Sequence, residues 1–206
     1  MALLAVATRS GAGPSDAALV VSARAGEEWA AEALFRRHGP RMNDLALRLL
    51  GRRDEVADLV QDSFVQALES LRRLEEPEAF AAWLAAIVAR TAYKTLRRRQ
   101  IRRRLGLGPA EQPIDTTRLI APTAPPDVAA ELSALYAVLR TLPAEVRVPL
   151  VLRRVEGSSL DEIGRMLGVS HATVKRRVAD GEEALARILE DPISPPPSRR
   201  QPRSGS

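Results

Sequence analysis

Apolar residues recur at three- and four-residue steps along most of this 206-residue chain, the spacing that gives a helix one buried face. The clearest run opens at Asp54. Val56, Leu59, Val60, Phe64, Ala67, Leu68 and Leu71 share one side, and Glu55, Asp58, Asp62 and Glu69 take the other. Upstream, Asp16 is placed to cap a short helix that ends before Gly26, where a second begins and runs to His38. Gly39-Pro40 should interrupt that helix, because proline has no N–H and its ring crowds the preceding turn. A further helical stretch over Met42, Leu45, Leu47, Leu49 and Leu50 then closes at Gly51. Pro77 suits the first turn of another helix. It starts near Glu78 and carries Phe80, Trp83, Leu84, Ile87 and Val88 into an arginine cluster.

Residues 105–128 break this periodicity with prolines and glycines and read as a linker. A second helical block covers 129–190: Ala129–Thr141, then Pro143 to about Val155, then a helix-turn-helix over 158–178 and its extension. Ser159 followed by Glu162 makes a capping box, so a helix starts near Leu160. Ile163 and Leu167 share a face, Gly164 leaves room for a close crossing, and Gly168 ends the helix. Ser170 can cap a second helix with Val174 and Val178 inward and His171, Thr173, Lys175, Arg176 and Arg177 outward. A helix that is polar at its start and basic further on is suited to the major groove. An ordinary hairpin with a solvated basic face would share some of these features, but not the full combination of caps, glycines and spacing.

The expected fold is therefore all-α: two small helical domains joined by a flexible linker. The boundaries are 16–104 and 129–190, with loose tails at 1–15 and 191–206. Composition agrees, since aromatics are only 3% and Ala, Leu, Arg and Glu dominate. Cysteine is absent and only His38 and His171 are present, which argues against a disulfide framework, a metal site or a triad. No catalytic constellation or cofactor motif stands out, so the chain is read as neither an enzyme nor a cofactor protein. The net charge of +5 comes almost wholly from arginine, because Lys94 and Lys175 are the only lysines. Arginine makes bidentate contacts to phosphate and guanine, although a GC-rich genome also enriches it. No apolar run reaches the ~20 residues needed to cross a bilayer, and a cytoplasmic protein is expected.

A second basic constellation lies on the helix after Pro77. Arg97–Arg99 and Arg102–Arg104 form the densest charge run, and Arg90, Lys94 and Arg98 form a stripe at four-residue steps. Phe80 and Trp83 sit at its N-terminal end. Aromatics beside a basic stripe are the ingredients for gripping unpaired bases; the same two rings are equally well placed to be core.

With these segments in hand, the chain resembles a bacterial RNA polymerase sigma factor of the extracytoplasmic-function group of the sigma-70 family. DEVADLVQDSF at 54–64 is similar to that family's polymerase-binding segment. FAAWLAAIVARTAYKTLRRR at 80–99 is similar to the segment that melts and reads the −10 promoter element. Residues 139–185 are similar to the −35-reading domain. The resemblance implies that Asp58, Gln61 and Asp62 face the polymerase clamp helices, and that the C-terminal domain meets the flap. It implies that Phe80, Trp83, Arg90, Lys94, Arg97 and Arg98 lie along −10 DNA, including single strands. Ser170, His171, Thr173, Lys175, Arg176 and Arg177 would approach the −35 duplex. The linker, with Glu111, Asp115 and Asp127, would thread the polymerase near the RNA exit path. An anti-sigma factor is a further expected partner.

Two positions depart from the family pattern. Arg90 stands where asparagine is common, and Lys94 where aspartate is usual; both make the melting helix more basic and should strengthen backbone contact. Two other readings remain open on the sequence: a conventional helix-turn-helix regulator, and an inactive sigma-like adaptor that sequesters a partner.

Overall fold

The computed structural model describes residues 13–107 and 125–190. Eight α-helices span Asp16–Arg24 (α1), Glu28–Leu50 (α2), Val56–Glu69 (α3), Phe80–Arg104 (α4), Pro126–Thr141 (α5), Ala144–Arg154 (α6), Leu160–Leu167 (α7) and His171–Glu190 (α8). No strand occurs among the described residues, and no helix there is long and apolar enough to cross a membrane. The acidic linker residues Glu111 and Asp115 fall outside the described residues. Asp127 lies in the first turn of α5, which begins at Pro126 rather than Ala129.

Three expectations change. Ser15, not Asp16, caps α1: its side chain accepts from the Ala18 amide at 3.2 Å. Gly39-Pro40 does not break the chain, because α2 runs unbroken from Glu28 to Leu50 through Pro40. Pro40 is exposed, so the carbonyl it leaves free can be hydrated, while Leu34, Met42, Leu45 and Leu49 on the opposite face are fully buried. Tertiary burial of that face outweighs the lost hydrogen bond. The apolar face of α3 is narrower than its sequence suggests, since Leu68 is exposed and Leu71 is buried from the short 3₁₀ turn that follows.

Helices α2, α3 and α4 pack mutually with α1 laid against α2, and α6, α7 and α8 form the second packed group. The two groups do not stand apart. One continuous apolar cluster takes in Leu45, Leu49, Leu84, Ile87 and Val88 from the first, and Val148, Val151, Ile163, Val174 and Val178 from the second. A block this small gains by covering its core with a neighbour, and here each block uses the other.

Candidate nucleic-acid interface

The helix-turn-helix is built by local chemistry, and its features can be read one at a time. Ser159 accepts from the Glu162 amide at 3.2 Å, while the Glu162 carboxylate accepts from the Ser159 amide at 2.7 Å, a reciprocal capping box. Hydrogen bonding of the carboxylate to the Ser159 backbone amide, and next to the Ser159 hydroxyl, holds the Glu162 carboxyl below its ordinary value. Gly168 ends α7 at φ +67°, a left-handed conformation that favours glycine. The space above Gly164 is taken by the turn as well as by α8: a Cβ there would meet the Val169 carbonyl at 2.9 Å and the Val174 side chain at 3.8 Å. Val174 and Val178 are buried and hold α8 in place.

This leaves His171, Lys175 and Arg176 exposed, with Thr173 and Arg177 half-buried at the edge of the packed face. The Ser170 hydroxyl is already engaged as the cap of α8. It accepts from the Thr173 amide at 3.3 Å and lies 2.9 Å from the Thr173 hydroxyl. Ser170 therefore sets the angle of the helix, and the cations beyond it are what a polyanion would meet.

The second basic surface runs along α4. Arg90, Lys94, Arg97 and Arg98 are all exposed. Lys94, Arg97 and Arg98 have no carboxylate partner among the described residues, so their charge is available to phosphate. Arg99 turns aside and pairs with Glu55. The aromatic pair divides. Phe80 is fully buried, with its ring centroid 5.4 Å from His38 and 6.2 Å from Trp83. No base can reach it, so Phe80 is a core side chain and not a stacking platform. Trp83 is half-buried and leans on the same core, with part of its ring open to solvent.

On α3, Asp58, Gln61 and Asp62 are exposed, opposite the buried Leu59, Val60, Ser63 and Phe64. They form a solvent-facing acidic ledge. A neighbouring surface was not foreseen: Phe35, Val65 and Leu68 are partly exposed, and the Phe35 ring meets Phe64 edge-on at 4.7 Å.

Sequence reasoning also missed the residues that join the blocks. Glu156 accepts from Arg48 Nη2 at 2.6 Å and lies 3.8 Å from Arg41 Nη2. Arg147 is only 4% exposed and donates to the Arg48 carbonyl at 3.5 Å. Burial, with repulsion from Arg140 and Arg99, pulls its pKa down to about 10. One signal could have found it: Arg147 stands in the apolar stripe Ala144, Val148, Val151 of α6, where an arginine needs a reason. Arg90 Nε donates to the Met166 carbonyl at 3.1 Å.

The described residues form helices without strands, and two of those helices present exposed basic faces, a combination suited to a helical DNA-binding protein. Comparison with known proteins narrows the class. Residues 34–102 match sigma-70 region 2, and residues 132–185 match sigma-70, region 4. The chain is 34% identical to the ECF RNA polymerase sigma factor SigM of Mycobacterium tuberculosis, over 85% of each chain. It is 32% identical to the RNA polymerase sigma factor CarQ of Myxococcus xanthus, covering 81% of this chain and 92% of CarQ. Against SigE of Mycolicibacterium smegmatis it is 34% identical over 77% of its own length, which spans 61% of that relative. Two solved structures share the fold. The sigma factor RpoE in complex with the anti-sigma factor NepR from Bartonella quintana aligns at TM-score 0.60 and 23% identity, over 78% of this chain and 96% of that one. CnrH in complex with the cytosolic domain of CnrY aligns at 0.56 and 24%, over 86% and 98%. The chain belongs to the extracytoplasmic-function group of the sigma-70 family, the sigma factors that direct promoter recognition in transcription initiation.

Proposed function

We propose that this sigma factor binds core RNA polymerase through the α3 ledge and holds promoter DNA at two points, with α8 on the −35 duplex and α4 on the −10 strand. The observation that carries this reading is the pair of separate exposed basic surfaces: His171, Lys175 and Arg176 on α8, and Lys94, Arg97 and Arg98 on α4. The first stands on a rigid, doubly capped motif, which suits reading a fixed duplex. The second combines unpaired cations with the half-open Trp83 ring, which suits a strand whose bases are unstacked. Promoter opening then draws on differential binding: a surface that holds unpaired bases better than stacked ones shifts the duplex toward the open form.

Asp58, Gln61 and Asp62 would meet a basic coiled coil of the polymerase clamp, and the C-terminal block its flap. Polymerase carries the chemistry; the chain acts as a specificity subunit and not as an enzyme. It acts in the cytoplasm, where polymerase meets the chromosome. An anti-sigma factor is a further partner, in keeping with the complexes formed by the two structural relatives. Residues 16–104 are assigned as the polymerase and −10 domain and, since α5 begins at Pro126, residues 126–190 as the −35 domain.

Co-purification with core polymerase, followed by run-off transcription, tests the assignment. The expected result is promoter-dependent transcript only when chain and core are combined. Tight duplex binding by the free protein, without transcript, would favour a conventional regulator. Core binding without transcript would favour an adaptor.

A further inference from the structure

Helix α1 has no part in the acidic ledge or in either basic surface, yet both of its ends are anchored to what supports them. Its apolar residues Leu19 and Val20 are fully buried. At its start, the Asp16 carboxylate bonds Arg37 at 2.6 Å and lies 3.0 Å from His38 Nε2, and the His38 ring packs on Phe80 at the head of α4. At its end, Arg24 reaches across to the connector between α3 and α4. Its Nε donates to the Leu71 carbonyl at 3.2 Å, and its Nη2 donates to the Leu74 carbonyl. No carboxylate pairs with Arg24 among the described residues, so its guanidinium is committed to these two backbone oxygens.

The connector needs such a hold. It passes through two single 3₁₀ turns, Leu71–Arg73 and Pro77–Ala79, and such short pieces are poorly bonded. Leu71 and Leu74 are buried, which leaves their carbonyls in need of donors that water supplies poorly. The planar fork of arginine serves both from one rigid group, which the single ammonium of a lysine does not.

We propose that Arg24 is a positioning residue for promoter opening: by fixing the connector, it sets where the Trp83 end of α4 stands relative to the α3 ledge. This role rests on the assignment of α4 to the promoter strand. Trp83 lies in the first turn of α4, its ring centroid 6.2 Å from that of Phe80. A shift of the connector is therefore carried directly to the ring. With the ledge seated on polymerase, a slack connector would leave Trp83 without one fixed place, and the unstacked strand would be held less tightly for want of pre-organisation. Arg24 is half-buried and engaged, so it acts through the connector and not by touching DNA.

The chain contains two tryptophans, and Trp29 is exposed, so Trp29→Phe leaves Trp83 as the sole emitter in the full-length protein. Arg24→Met keeps most of the side-chain length and removes both bonds; Arg24→Lys keeps the charge without the fork. In the Trp29→Phe background, Arg24→Met should raise the acrylamide quenching of Trp83. In the holoenzyme on promoter DNA it should lower the permanganate reactivity of unpaired thymines, per bound complex, by about fivefold. Arg24→Lys should fall between Arg24→Met and the parent. Core polymerase binding and the salt dependence of promoter occupancy should not change, because no phosphate contact is removed. Circular dichroism checks helix content, and if Arg24→Met loses it, the same readouts on Arg24→Lys decide.

Equal opening by the variant and the parent, or unchanged Trp83 quenching, would overturn the positioning role. So would a weaker salt dependence, which would make Arg24 a DNA contact, or full opening by Arg24→Lys, which would make charge alone sufficient. Run-off transcription by the parent keeps the two ideas apart. If the parent gives promoter-dependent transcript and Arg24→Met opens DNA equally well, the role of Arg24 fails and the promoter assignment stands. If the parent gives no such transcript, the promoter assignment itself fails.

Discussion

Helices α4 and α8 carry the two basic surfaces, but they are made differently. The exposed start of helix α8 is set by its immediate neighbours in sequence, the Ser159–Glu162 box, the left-handed Gly168, the Ser170 cap and the Val174–Val178 pair, while its later turns pack on α6, where a Cβ on Gly181 would meet Leu150 at 2.9 Å. Helix α4 owes its place to distant parts of the chain. It buries Phe80, Leu84, Ile87, Val88, Ala92 and Tyr93, touching α2 and α3 on one side and α6 and α7 on another. A surface fixed locally is rigid from the start, which suits reading a duplex that arrives already shaped. A surface fixed by long-range packing can be covered or exposed by moving what lies against it, which suits a step that comes later.

The largest expected effect separates the two aromatic rings of α4. Phe80→Ala should destabilise the N-terminal block by ~3–5 kcal/mol, because it empties a fully buried site. Thermal unfolding reads this loss. Trp83→Ala should cost clearly less stability and instead impair promoter opening, since its ring is partly open. Equal losses of stability would dissolve the distinction. Next come the cations of α8. Lys175→Ala or Arg176→Ala should weaken promoter binding by the holoenzyme by ~1–3 kcal/mol and leave core polymerase binding intact. The slope of log affinity against log salt should fall by about one for each phosphate contact removed. Loss of core binding in either variant would contradict the assignment.

The smallest effect concerns the cap that makes α8 a local structure. Ser159→Ala should cost ~1 kcal/mol in the stability of the C-terminal block. The Glu162 carboxyl titrates below its ordinary 4.5 in the folded chain, so its contribution is fully present above the unfolded value. That contribution is lost as pH falls through the lowered folded value. Glu162→Gln should remove this acid dependence, read as melting temperature against pH, and an unchanged profile would show that the box does not act as drawn.

The same contrast explains what the sequence revealed. The helix-turn-helix was legible almost atom by atom, since caps, glycines and four-residue spacing act within a few residues of themselves. The exposed Asp58 and Asp62 of the ledge followed from periodicity, whereas Gln61 was named only through the family resemblance. The sequence left Phe80 and Trp83 equally open to a core or a DNA-facing role, and only tertiary burial, complete for Phe80 and partial for Trp83, separates them. Pro40 misled for the same reason: buried Leu34, Met42 and Leu45 keep α2 continuous where local rules predict a break. The seam of Arg48, Arg147 and Glu156 joins positions about a hundred residues apart, and no local pattern records such a pairing.

Footprinting of the promoter complex, combined with permanganate reactivity of unpaired thymines, tests the division of labour most directly. It gives occupancy and opening on one DNA. Arg176→Ala should reduce occupancy while leaving opening per bound complex unchanged. A Lys94→Ala/Arg98→Ala double variant should lower opening per bound complex by about tenfold, equivalent to ~1.4 kcal/mol. If both variants lower occupancy and opening in the same proportion, the two helices do not divide the work, and the account is contradicted.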